Sequence, residues 1–168
     1  MVGEGDFAAT VPRNGLQWSA RVDHNFNDSK DRFYANIYRT TLDTVLFNSP
    51  NVYPDFTEPW HQYTLYMNGN ETHTFSPNML NEMGFSYVRA WGDNKCDPCE
   101  VPGVGVNGMN GFGQGWGPGT FIQNNYEWRD VVAINRGAHN LKTGFTFQRT
   151  EDFNDFGRII TRPNFNFN

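Results

Sequence analysis

Apolar and polar residues alternate with a period of two along much of the chain. That spacing sends successive side chains to opposite faces of a β-strand. The first stretch, residues 16–26, sets Leu16, Trp18, Ala20, Val22 and Phe26 on one face and Gln17, Ser19, Arg21, Asp23 and Asn25 on the other. Its eleven residues suit a tilted strand crossing a bilayer, which needs about 9–11. Strands of water-soluble domains usually run to about five or six. Five more segments repeat the pattern: residues 32–45 with Phe33, Ala35 and Ile37, 61–75 with Tyr63, Leu65 and Met67, 81–91 with Met83, Phe85, Tyr87 and Trp91, 125–135 with Tyr126, Trp128, Val132 and Ile134, and 139–149 with Leu141, Phe145 and Phe147. A seventh alternation begins at residues 163–168.

The connections between these segments alternate in length. Short turns at residues 27–31, 76–78 and 135–138 take turns with long stretches at 47–59, 92–123 and 151–162. Up-and-down barrels of the bacterial outer membrane have short turns on one side and long loops on the other. The predicted fold is therefore all-β: an antiparallel up-and-down meander forming a partial transmembrane β-barrel of about six to seven strands, with its long loops on one side. Trp18, Trp91, Tyr126 and Trp128 fall near the ends of the predicted strands, where an aromatic girdle would lie. A soluble, secreted β-sandwich that binds carbohydrate through loop Trp and Tyr residues is the alternative.

Composition narrows the picture. Aromatic residues make up 16% of the 168 positions and charged residues only 18%. The net charge of −5 argues against nucleic acid, which requires a basic footprint. No run of apolar residues is long enough to span a bilayer as a helix, a test that does not touch membrane strands. Residues 1–5 carry neither a basic segment nor an apolar stretch, so no signal peptide is read there. Six or seven strands fall short of the eight in the smallest outer-membrane barrels. Residues 1–168 are thus expected to be a single partial barrel domain, a piece of a longer protein whose plug and signal peptide are absent.

Three short motifs give the chain a family likeness. Phe75-Ser76-Pro77-Asn78-Met79-Leu80-Asn81-Glu82, leading to Arg89, resembles a turn-and-strand segment of TonB-dependent outer-membrane receptors of the Oar-like subgroup. Arg21-Val22-Asp23-His24-Asn25-Phe26 with Asp31-Arg32-Phe33 resembles a hairpin of the same subgroup, as does Asp130 with Gly137-Ala138-His139-Asn140-Leu141-Lys142-Thr143-Gly144-Phe145. The likeness covers nearly the whole chain. It implies a 22-stranded barrel in the outer membrane, a plug domain, contact with the TonB complex in the intact protein, and passage of an unidentified ligand through the lumen. Arg21, Asp23, Asn36, Lys142 and Gln148 would line that passage or touch the plug.

Candidate chemistry is sparse. Cys96-Asp97-Pro98-Cys99 is a lone CxxC, with a small disulfide at the base of the long loop preferred over free thiols or half a metal site. Residues 103–108 spell GxGxxG, but the glycines and proline that follow cannot form the helix a dinucleotide site needs. Phe112, Trp116 and Phe121 in the long loop are candidate ligand-stacking residues, set against incidental aromatics in a disordered loop. Asp130 stands on an otherwise apolar face, where Arg129, Arg136 or a membrane interface could accommodate it. The four histidines do not cluster, and no nucleophile–base or carboxylate pair stands out, so neither enzymatic activity nor a metal or cofactor is expected.

Overall fold

The computed structural model describes residues 10–46, 58–95, 102–108, 111, 119–156 and 164–167. Eight strands follow in chain order: β1 (Arg13–Phe26), β2 (Asp31–Leu46), β3 (Glu58–Ser76), β4 (Met79–Asn94), β5 (Gly103–Val106), β6 (Gly119–Arg136), β7 (His139–Phe156) and β8 (Asn164–Phe167). Six of them form one antiparallel sheet in the order β1-β2-β3-β4-β6-β7, an up-and-down meander that does not close on itself. β1 and β7 are its outer strands.

The long strands are the predicted ones, but several run further than the alternation suggested. β6 begins at Gly119 rather than near residue 125, and β7 continues to Phe156 rather than ending near 149. The seventh alternation also differs. β8 does not extend the meander beyond β7 but pairs in parallel with β5, Gly103 opposite Asn164 and Val106 opposite Phe167. The GxGxxG stretch is therefore mostly strand, closed by a turn at Gly108.

Register decides which residues share a face, because directly opposed residues of an antiparallel pair project to the same side. Ile37 lies opposite Met67, Met67 opposite Tyr87, Tyr87 opposite Tyr126, and Tyr126 opposite Arg149. Ala20 joins this row opposite Ile37. The apolar positions of the predicted alternations thus coincide on one face, whereas Leu42, Leu80, Val88 and Val131 fall on the other.

Three short turns hold the hairpins. In the first, Asn27, Asp28 and Ser29 all adopt positive φ, and the Lys30 amide donates to the Asn27 carbonyl at 3.0 Å. In the second, Pro77 presets the turn, and a bulge between Thr74 and Ser76 absorbs one extra residue. The third joins Arg136 to its cross-strand partner His139 through Gly137 and Ala138, with Gly137 at φ +60°. Gly137→Ala would put a Cβ into the left-handed region, at a cost of about 1–2 kcal/mol. Urea unfolding of the lipid-reconstituted chain should register that loss; an unchanged midpoint would mean the turn does not hold the hairpin.

Candidate functional site

The two faces of this sheet carry its chemistry. Among the described residues no large side chain is fully buried, so the sheet has no packed core of its own. Every exposed large hydrophobic within the six-stranded sheet lies on the shared face, from Leu16, Trp18 and Val22 on β1 to Leu141, Phe145 and Phe147 on β7. Aromatic rings pack in a chain across its middle. Trp128 lies 5.4 Å from Phe85 and 5.5 Å from Phe147 by ring centroids, and Tyr87 lies 5.0 Å from Tyr126. Trp128, expected near a strand end, is therefore central, because β6 starts six residues earlier than its alternation indicated.

Polar groups interrupt this face at two levels. Toward the long connections, Arg89 Nε donates to Tyr63 Oη at 2.8 Å, and Arg89 and Tyr87 both donate to Asn124 Oδ1, at 3.1 and 2.9 Å. The Arg39 guanidinium lies 5.1 Å from the centre of the Tyr63 ring, whose other neighbour is Trp91. Toward the short turns, His73 pairs with Asp31, and Asn81 donates both to Asp130 and, at 3.1 Å, to the Val131 carbonyl. Asp130 is thus satisfied by an amide on the neighbouring strand, not by Arg129 or Arg136. Arg129 is on the opposite face, 3.9 Å from Glu82. Asp31, Glu71 and His73 bring possible ligand atoms within 4.8 Å of one another. Asp31 and His73 already satisfy each other there, and that hydrogen-bonded pair accounts for the arrangement.

The other face carries polar groups on all six strands. Arg21 grips Asp23 with bonds of 2.8 and 2.6 Å, and its guanidinium lies 4.2 Å from the Tyr34 ring centre. Asn36 donates to Asn68 at 3.0 Å, and Thr150 to Asn125 at 2.7 Å. A cleft of about 120 Å³ opens among Tyr34, Tyr66, Asn70, Glu127 and Arg129. Gly84 forms part of its floor, where a Cβ would come within 3.3 Å of the Asn70 side-chain oxygen. Arg21, Asp23, Asn36, Lys142 and Gln148 all project to this face, as the alternation predicts.

Of the candidate ligand-stacking residues, Phe121 is not in a loop. It belongs to β6, where its ring covers Gly92 and stacks on Trp60 at 5.8 Å. The pair lies on the polar face at the long-connection end, and Trp60 carries no signal in the sequence because it precedes the visible alternation of β3. Phe112, Trp116, Cys96 and Cys99 lie outside the described residues.

A sandwich would bury its apolar face against a second sheet. Here six long strands form one sheet, and among the described residues no second sheet packs across its apolar face, so the soluble alternative is set aside. A long-stranded meander, apolar on one face, polar on the other, with short turns at one end and long connections at the other, is the wall of an outer-membrane barrel. The chain belongs to the outer membrane beta barrel domain family, whose pattern matches residues 5–168, and its place is the outer membrane. No curated protein and no solved structure matches it.

Proposed function

We propose that this chain is barrel wall from an Oar-like TonB-dependent receptor, a non-catalytic protein that takes up a ligand through its lumen. The apolar face meets the lipid of the outer membrane and the polar face lines the passage. The long connections stand outside the cell, where the ligand is captured, and the short turns lie in the periplasm. The observation that carries this reading is the position of the three receptor-like motifs. Each brackets one of the three short turns, so all three fall on one rim of the sheet. The polar face supports it with amide, hydroxyl and charged groups on every strand, including the cleft at Tyr34, Tyr66 and Arg129.

Growth on scarce nutrients tests the reading. Strains lacking the gene, lacking TonB activity, or lacking both should show the same defect on the same nutrient, and a protonophore should reproduce it in the parent strain. A defect that persists or deepens when TonB is also removed would point to a passive pore instead.

A further inference from the structure

The apolar face is not uniformly bulky. Ala20, Ala35 and Gly69 stand where neighbouring strands carry large side chains, and between them and Ile37, Met67 and Phe85 lies a groove of about 360 Å³. Its lining is apolar. Asn36 and Asn68 contribute backbone only, since their side chains pair with each other on the opposite face. Gly69 keeps the floor low: a Cβ there would be in ordinary contact with the Tyr34 carbonyl at 3.6 Å and the edge of the Phe33 ring at 3.8 Å, so its absence leaves the groove deeper beside that ring.

Two cations stand just beyond the end of the groove nearer the long connections. Ile37 and Met67 line it, and one step further along the same face Arg39 and Arg89 both stand opposite Leu65. Arg89 is held in place by Tyr63 and Asn124, and Arg39 lies over the Tyr63 ring. Among the described residues neither arginine makes a salt bridge to a carboxylate, whereas Arg21, Arg129 and Arg149 each do. Arg89, hydrogen-bonded only to neutral groups, and Arg39, which rests on a ring, put two guanidiniums with no carboxylate partner on the apolar face just beyond the head of the groove. Guanidinium suits phosphate, which accepts its paired donors along one edge.

We propose that this face binds a net anionic lipid of the outer leaflet, one whose phosphate has no choline cation to offset it, with that phosphate between Arg39 and Arg89 and an acyl chain in the groove over Gly69. Ala35 and Arg39 are four residues apart on one strand, roughly 13 Å, so head and chain sites belong to one lipid molecule. The site lies on the outside of the wall and does not depend on which ligand, if any, passes through the lumen.

The test uses the full protein, extracted from outer membranes in mild detergent and stripped of lipid. Lipid A is the probe, with phosphatidylcholine and inorganic phosphate as comparisons, and binding is followed by native mass spectrometry. The expected result is a bound lipid A that phosphatidylcholine does not replace and inorganic phosphate does not displace. Arg39→Gln with Arg89→Gln should weaken it by about tenfold or more, the loss of hydrogen bonds to a charged group. Gly69→Leu, which fills the groove and leaves both arginines in place, should weaken it as well, and serves if the arginine variant fails to fold. Equal binding by the folded variants, equal binding of phosphatidylcholine, or displacement by inorganic phosphate alone would each overturn the proposal.

Discussion

Phe85→Arg should destabilise the membrane-inserted chain by about 2–4 kcal/mol, the range for a cation on the lipid face of a barrel near mid-membrane. Ser86→Arg, one residue on, should cost far less. The contrast follows from register. Phe85 lies opposite Gly69 and Trp128 in the middle of the apolar face, whereas Ser86 lies opposite Asn68 and Glu127 on the polar one. A new guanidinium at Phe85 meets hydrocarbon; at Ser86 it meets amides and a carboxylate. Urea titration of both variants in lipid vesicles decides the matter. Equal losses would mean that the two faces do not differ in solvent, and the assignment of the apolar face to lipid would fall.

The second large effect concerns Asp130. Its carboxylate is on the apolar face opposite Met83 and Phe145, with Asn81 as its hydrogen-bond donor. Asn81→Leu would leave that carboxylate without the amide, for a loss of about 1.5–3 kcal/mol, the worth of a hydrogen bond to a charged group. In an Asp130→Leu background the same Asn81→Leu change should cost little, since nothing charged remains to satisfy. A double-mutant cycle measures the coupling directly. Additive losses would show that Asn81 contributes through its bond to the Val131 carbonyl or through packing, and not through Asp130.

Alternation made the faces legible from the sequence, but not the ends of the strands. The reason lies in the solvent. Where a strand crosses lipid, every second side chain must be apolar, and residues such as Leu141, Phe145 and Phe147 announce it. Beyond the lipid the backbone ladder continues, but side chains on both faces meet water and the pattern lapses. The last part of β7, Thr150-Glu151-Asp152-Phe153-Asn154-Asp155, reads as loop yet pairs with β6 through to Gly119. Phe121 reads as loop for the same reason, with glycine-rich sequence just before it. Asp130's partner was illegible for a different reason: Asn81 is 49 residues away, and only register brings the two together. The lipid groove was equally hidden. Small residues at Ala20, Ala35 and Gly69 belong to three strands, and none is notable until the three are aligned.

The absence of a packed core among the described residues bears on how such a wall can change over generations. In a water-soluble domain most inward substitutions disturb a jigsaw of neighbours, and stability polices them. Here shape resides in the backbone ladder and in one apolar face, while the polar face is bound only by local pairs such as Asn36 with Asn68. Substitutions on that face need satisfy only their own hydrogen bonds. Selection can therefore rewrite the groups that the polar face presents while the scaffold stays put, and a lineage can remake that surface without first passing through an unfolded ancestor.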